Sequence, residues 1–497
     1  MIQAARDDTA VLLTRGTGRD GASDAALAVR RLNDEYFRDT GRRRLFRVQT
    51  FGCQMNAHDS EGLAGALFGM GFEQAADEKQ ADLVIYNTCC VRESAENRIY
   101  GNLSVLKHEK DLRRAQNRGL TVALCGCMMQ QDAAVERIRR SHRYVDIIFG
   151  TFNLHRFPEL LLSHMETGGQ IIDIWREDRD GAGHDARLDR RQFAHKAGVN
   201  IMYGCDNFCS YCIVPYVRGR ERSRPAPDII NEVGALARDG VREIMLLGQN
   251  VNSYAGALRH PGGEKVDFPA LLRLVDRACE GTGIRRIRFM TSHPKDLSPA
   301  LISAMRDCVR VCRHIHLPLQ SGSTEILRLM NRRYTREQYL GLIGEIRARM
   351  PGAAITTDII VGFPGETEAD FEDTLDAVRQ ARFSGAFTFL YSKRSGTPAA
   401  DMPGQVPPDI ARARFDRLLD TLNPIFLEIN KSHLGETAEV LVDEKGSGPG
   451  ALICRTDWGG LVHIKGPDDL IGRFTDVKLT DCRTFYFLGE TVSGEII

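Results

Sequence analysis

The chain has 497 residues, 42% of them hydrophobic and 27% charged, with 66 basic side chains balanced by 66 acidic ones. That length is too great for one ordinary domain, and the zero net charge excludes a globally basic nucleic-acid binder, so any RNA-facing surface has to be local. No apolar run approaches the roughly 20 residues of a membrane helix, and the first residues lack the apolar core of a signal peptide, so a cytoplasmic protein with no membrane partner is expected.

Residues 1–44 are polar, rich in Arg, Asp and Gly, and read as a loosely ordered extension with one helix around "DAALAVRRLNDEYFRD". Over 45–165 the texture changes. "FRVQTFG", "DLVIYNT", "TVALCG" and "DIIFG" are short apolar runs, separated in part by helix-like stretches such as "SEGLAGALFGMGF". This alternation predicts an α/β domain on a parallel sheet. The charged, non-periodic stretch over 166–197, including "WREDRDGAGHDARLDRRQFAHK", reads as a linker.

A second alternating series fills 198–426, with six candidate strands: "VNIMYG", "REIMLLGQN", "RIRFMTS", "HIHLPLQ", "AAITTDIIVGF" and "GAFTFLYS". Six βα units fall short of the eight of a closed barrel, so an open, partial (β/α)6 barrel is predicted. Ligands of such folds bind at the C-terminal ends of the strands. Polar residues follow the runs there: Gln249 and Asn250, Ser292 and His293, Gln320 and Ser321. Asp358 lies within a strand run, either as a structural acid or facing the barrel. "GFPGET" predicts a turn opening a helix at Glu366, whose N-terminal amides suit a polar group. Five short runs broken by Gly and Asp over 427–497 predict a small β-barrel of OB-like kind.

Thirteen cysteines in such a chain argue for metal or redox use rather than a disulfide framework. "GCDNFCSYC" places Cys205, Cys209 and Cys212 on the first loop of the barrel, with no fourth thiol nearby. Structural zinc takes four protein ligands, and ferredoxin-type clusters normally take four cysteines. A triad that stops at three therefore favours an iron–sulfur cluster with one open iron. Upstream, Cys53 lies in "QTFGCQMNAHDSE", Cys89 and Cys90 in "YNTCCVRESAENR", and Cys125 and Cys127 in "ALCGCMMQ". Each group falls just past a predicted strand, so the three should converge at one sheet edge. Chemistry alone leaves the choice within each of the two pairs open. Cys308 and Cys312, four apart, read as core residues on one helix face. "VRGRERSR" sets Arg218, Arg220, Arg222 and Arg224 close behind the barrel loop, and guanidinium forks suit the phosphates of an RNA.

The CxxxCxxC loop after the first barrel strand resembles the radical SAM superfamily. The longer run "YGCDNFCSYCIVPYVRGRERSR" resembles its methylthiotransferase branch, particularly the tRNA-modifying MiaB family. The resemblance implies a [4Fe–4S] cluster on Cys205, Cys209 and Cys212 whose open iron chelates S-adenosylmethionine (SAM), the cofactor then supplying a 5′-deoxyadenosyl radical. It implies a second, auxiliary [4Fe–4S] cluster concerned with sulfur. The family pattern has one cysteine directly after "NT" and one between Gly and Met, which selects Cys89 and Cys127 to join Cys53 and leaves Cys125 as a buried strand thiol. It makes Gln249, Asn250, Ser292, Gln320 and Asp358 candidates for SAM or substrate binding.

The C-terminal module resembles the TRAM domain, an RNA-binding barrel. Here residues 431–497 hold seven Lys and Arg against eleven Asp and Glu, a poor balance for phosphates, and the family's "GRT" stands as "CRT", retaining Arg455. The resemblance spans about residues 45–490 and omits the extension. The implied activity replaces the C2 hydrogen of N6-isopentenyladenosine at position 37 of tRNA with a methylthio group. Implied partners are a tRNA anticodon stem-loop and an electron donor such as flavodoxin or ferredoxin, with the enzyme a monomer. Sister enzymes acting on threonylcarbamoyl-adenosine or a ribosomal-protein aspartate share the architecture, while "TFGCQMN" and "VRESAENR" favour the isopentenyl type. A non-catalytic iron–sulfur RNA-binding or redox-sensing protein would leave the upstream triad unexplained.

Overall fold

The computed structural model describes residues 23–90, 93–116, 118–177, 191–258, 264–290 and 292–492. Residues 178–190 of the charged stretch over 166–197, and Val91 and Arg92 of the "VRESAENR" motif, lie outside the described residues.

The first domain is a six-stranded, wholly parallel sheet of β1 (Leu45–Thr50), β2 (Glu73–Gln74), β3 (Leu83–Thr88), β4 (Thr121–Gly126), β5 (Ile147–Phe149) and β6 (Ile171–Asp173), in the order β2-β1-β3-β4-β5-β6. Every residue of β3 is buried, as a central parallel strand covered on both faces requires. Leu83 and Ile85 join one apolar layer with Val29, Phe46, Leu67 and Phe157. Val84 and Tyr86 join the other with Ile99, Leu103 and Ile138. The period of two thus feeds two cores.

The sheet reaches beyond position 165, since β6 pairs with β5 inside the stretch read as linker. Three residues of strand are too few to carry a periodic signal. The domain also extends before residue 45: helix α1 (Asp24–Thr40) starts from a Ser23 cap and is tied down rather than loose. Its buried Asn33 donates to Met70 O at 2.8 Å and accepts from Arg44 Nη1 at 2.8 Å.

The second domain carries β7 (Lys196–Asn200), β8 (Met202–Tyr203), β9 (Arg222–Ser223), β10 (Glu243–Leu247), β11 (Ala255–Ala257), β12 (Lys265–Asp267), β13 (Arg286–Phe289), β14 (His314–His316), β15 (Ala354–Val361) and β16 (Gly385–Leu390). Six of these form the partial barrel. The parallel sheets β7-β10-β13 and β14-β15-β16 are joined by the single parallel bridge Ile287–Val311. Cys308 ends the helix Pro299–Asp307, and Cys312 follows the Val311 bridge, so the two thiols are buried without sharing a helix face. The helix after "GFPGET" starts at Glu368, capped by Thr367 with Asp370 in a capping box. Glu366 lies outside it, buried, accepting from Gly362 N at 3.0 Å and paired with Arg414 at 2.9 Å.

The helix Pro408–Ser432 leads into a closed five-stranded barrel of β17 (Thr437–Lys445), β18 (Ala451–Thr456), β19 (Leu461–Lys465), β20 (Phe474–Cys482) and β21 (Phe487–Thr491). Arginines of β13 hold it. Arg286 donates to Arg455 O and Glu439 O at 2.6 and 2.8 Å, and Arg288 to Thr456 O and Asp457 O at 2.6 and 2.8 Å. Arg288 Nε meets the buried Glu243 at 2.8 Å. Burial pushes the Glu243 carboxyl up, but Arg288 and Lys196 outweigh it, and the group ends below its ordinary value. A depressed carboxylate contributes stability above the unfolded value of ~4.3, lost as pH falls through the lower folded value. Arg288→Ala is expected to cost about 3 kcal/mol by removing the close partner of the buried Glu243 and leaving it with Lys196 at 3.9 Å, measured by chemical denaturation with proteolysis at the barrel junction. Among the described residues no helix is long and apolar enough to cross a membrane.

Candidate functional site

Because β1, β3 and β4 are parallel, the chain leaves all three at the same edge, and each exit carries cysteines. Two glycines allow the close approach. Gly52 has φ +121°, and a Cβ there would lie 2.8 Å from Cys89 Sγ; Gly126 has φ +93°, and a Cβ would lie 2.4 Å from Thr88 O. Asn56, the first buried polar residue of α2 (Gln54–Gly69), pins the three loops together. Its Nδ2 donates to Phe51 O and Thr88 O at 2.9 and 3.0 Å, while its Oδ1 lies 3.8 Å from Cys53 Sγ and 3.9 Å from Cys127 Sγ. Cys89, Cys90 and Cys127 share the core on this side of the sheet, whereas Cys125 faces the opposite core. The neighbouring Cys90 thiol and the Arg218 guanidinium hold Cys127 below the usual thiol range, and Cys90 itself is pushed up.

In the second domain, Gly204 (φ +71°) opens the Cys205–Cys212 loop. A Cβ there would lie 2.1 Å from Arg220 O, and Cys205 N bonds Gly219 O at 3.1 Å. The loop is clamped from outside. Ser210 N donates to Met330 O at 3.0 Å, and Asn331 Nδ2 donates to Asn207 O and Phe208 O at 3.2 and 2.9 Å. The buried Arg332 reaches Cys209 Sγ at 3.4 Å and Pro318 O at 3.2 Å. Desolvation, with Cys209 alongside, pushes the thiols of Cys205 and Cys212 up to about 11 and about 12. These cysteines hold their protons until a metal takes them. Gly204→Ala is expected to cost about 1–3 kcal/mol in backbone strain and to lower the iron held by the loop, read by thermal melting and iron analysis.

At the mouth of the barrel, several buried polar atoms have no protein partner among the described residues: Asn250 Oδ1, both side-chain atoms of Asn252, Ser292 Oγ, His293 Nε2 and Gln320 Oε1. Orphans of this kind are rare in a folded interior. All are uncharged groups beside the cysteine loop's barrel mouth, and a mixed set of neutral donors and acceptors fits an adenosine with its ribose hydroxyls. His293 accepts from Lys295 N at Nδ1 (3.2 Å), which puts its proton on Nε2. Burial, then Arg332, holds its pKa down at about 2, so it stays a neutral donor. Asn250 Nδ2 is spent on Asp296 at 2.7 Å. Gln249 instead points to the first domain, 2.6 Å from Met55 Sδ. Asp358 is half-buried and lies 3.4 Å from His316 Nε2.

The four arginines part company. Arg224 is buried on Asn200 O and Glu232. Arg218 is buried in the first domain's cysteine set: Nε lies 3.3 Å from Cys127 Sγ, and Nη2 lies 2.7 Å from Asn56 Oδ1 and 2.8 Å from Asp59 Oδ2. Burial removes both from the phosphate-facing group suggested by the sequence. Arg220 is exposed, paired with Asp206 at 2.9 Å and set over Phe208, while Arg222 is half-buried over Tyr203. Tyr216 beside them is 49% exposed.

The two cysteine sets therefore face one another. Gln54 meets Met290 past the end of β13, Met55 meets Gln249 past the end of β10, and Thr151 donates to Val217 O at 2.7 Å. Asn56, Asp59 and Arg332 are site residues that the sequence did not single out. Their signal was membership of the motif "CQMNAHD", and of "NRRY" beyond "LPLQSGS".

Family models match at residues 45–150 (Uncharacterized protein family UPF0004), 199–378 (Radical SAM superfamily) and 431–492 (TRAM domain). Relatives named tRNA-2-methylthio-N(6)-dimethylallyladenosine synthase include that of Alkaliphilus oremlandii, 50% identical over 91% of this chain and 93% of its own length. Those of Lachnoclostridium phytofermentans (51%, covering 91% and 96%) and Clostridioides difficile (49%, covering 94% and 95%) are similar. Among solved structures, the radical S-adenosylmethionine methyltransferase TsrM from Kitasatospora setae shares the fold, with TM-score 0.53 and 14% identity over 77% of this chain and 89% of that one. Membership of the radical SAM superfamily implies SAM and a [4Fe–4S] cluster. The chain belongs to the family of radical SAM tRNA methylthiotransferases whose members carry the name tRNA-2-methylthio-N(6)-dimethylallyladenosine synthase.

Proposed function

We propose that this chain converts N6-isopentenyladenosine at position 37 of tRNA to its 2-methylthio derivative, with one [4Fe–4S] cluster on Cys205, Cys209 and Cys212 and an auxiliary one on Cys53, Cys89 and Cys127. The observation that carries the reading is the opposition of two three-cysteine sets across one domain interface, with neutral orphan donors and acceptors at the barrel mouth. When bound, these groups supply one-electron chemistry able to take hydrogen from an unactivated aromatic carbon, and the sulfur to replace it. Adenine C2 carries no acidic proton, so the side chains need not act as a general base. Their work is placement.

Asn250 Oδ1, Ser292 Oγ, His293 Nε2–H and Gln320 Oε1, buried without protein partners among the described residues, would hold the SAM nucleoside. Arg332 fixes the loop at Cys209, and Asn56 holds Cys53 against Cys127. Arg220, Arg222 and the exposed Tyr216 form the tRNA-facing rim beside the loop. An external one-electron donor, a flavodoxin or ferredoxin, serves the cluster of the barrel. Arg220→Ala and Arg222→Ala are each expected to weaken RNA binding and to reduce its salt slope by about 1, measured by titration at several salt concentrations.

The reading is tested with anaerobically reconstituted protein, SAM, a reductant, and anticodon stem-loops carrying isopentenyladenosine or threonylcarbamoyl-adenosine. Nucleoside mass spectrometry should find methylthiolation only of the first. Product only from the second would move the assignment to the sister reaction, and none from either would overturn it.

A further inference from the structure

Arg218 belongs to the radical loop by sequence and to the auxiliary site by position. It ends the short helix Val214–Arg218, six residues after Cys212, and crosses the interface into the first domain. There it is buried, with Nε on Cys127 Sγ at 3.3 Å and Nη2 shared between Asn56 Oδ1 and Asp59 Oδ2. A guanidinium keeps its charge in proteins, so Arg218 brings a fixed cation to Cys127. Two further atoms are orphans among the described residues: Arg218 Nη1 and Asp59 Oδ1. An ion pair needing only its own partners would have no reason to leave a buried donor empty. A guanidinium with one nitrogen on a cysteine ligand and another unfilled suits a larger anionic group held by the same cysteines.

We propose that Arg218 is a positioning residue for the auxiliary cluster. It fixes Cys127 from the radical-loop side and, as the cation nearest that ligand, raises the cluster's reduction potential, with Asp59 opposing it. This rests on the assignment of an auxiliary cluster to Cys53, Cys89 and Cys127. Hydrogen bonds and charge at the cysteine sulfurs are among the levers that set cluster potentials. The two members of the pair must therefore move the potential in opposite directions. Removing the cation disfavours the more negative, reduced cluster, while removing the anion favours it.

The test uses the full chain with Cys205, Cys209 and Cys212 all changed to alanine, so that only the auxiliary cluster can load. Potentiometric titration followed by electron paramagnetic resonance is run with Arg218 and Asp59 intact, and with Arg218→Met, Arg218→Lys and Asp59→Asn. About four irons per chain should load with Arg218 and Asp59 intact. The midpoint is expected to fall in Arg218→Met and rise in Asp59→Asn, with Arg218→Lys nearer the parent. A purely structural role would loosen the site alike in both and give no such opposition of sign. Should Arg218→Met fail to hold iron, Asp59→Asn decides alone. An unmoved or lowered midpoint in that variant overturns the proposal, as does an unmoved midpoint in an iron-replete Arg218→Met. If the parent with intact Arg218 loads no cluster at all, the auxiliary-cluster assignment fails and takes this inference with it.

Discussion

Cys209→Ala is expected to abolish methylthiolated product and SAM cleavage together, leaving the auxiliary irons in place. Three thiols are the minimum that hold a cubane with one iron open, and this loop has no spare. Arg332 donates to Cys209 Sγ at 3.4 Å, Asn331 donates to backbone carbonyls of the loop, and Arg220 pairs with Asp206. None of these can replace a thiolate as ligand. The loss should therefore be complete rather than graded, and equal for Cys205→Ala and Cys212→Ala. Iron should fall from about eight to about four per chain, because the upstream set is carried by the strand ends of a separate sheet. SAM cleavage without substrate, followed by chromatography, and iron analysis are the checks.

The second large effect separates two neighbouring thiols. Cys89→Ala is expected to remove about four irons per chain and all methylthiolated product, while Cys90→Ala keeps both. Cys89 sits against Gly52, whose missing Cβ makes room for it at 2.8 Å, beside the Cys53 turn. Cys90 is fully buried in the core beside Ile99 and Leu103, away from that glycine turn. The expected cost of Cys90→Ala is that of removing one small buried thiol, about 1 kcal/mol. The reverse outcome, iron lost with Cys90→Ala and kept with Cys89→Ala, would reassign the site.

How far the sequence went depended on whether a feature repeats. The strands were legible because each is a run of apolar, β-branched residues closed by a polar or glycine exit. The same exits placed the cysteines at one edge, since parallel strands must all end on one side. The arginine run was not legible in the same way. From Arg218 to Arg224 the chain passes a helix end, a glycine at φ +75° and a two-residue strand. Its direction changes too often for any period to say which guanidinium turns inward. Arg218 and Arg224 went in, and Arg220 stayed out. The helix after "GFPGET" shows the converse: "TEAD" carries a capping box, a signal that fixes the start at Glu368 and leaves Glu366 free for Arg414. The short strand "IID" and the docking of Asn33 depend on distant partners, and no local pattern announces either.

The central claim is that two opposed cysteine sets in one chain act together on tRNA. It is tested most directly by nucleoside mass spectrometry of tRNA from a strain lacking its own methylthiolating enzyme and carrying this protein, its Cys205→Ala variant or its Cys53→Ala variant. The unsubstituted protein should restore 2-methylthio-N6-isopentenyladenosine, and each variant should leave only N6-isopentenyladenosine. Methylthiolated nucleoside in the Cys53→Ala strain, or none with the unsubstituted protein, would contradict the account.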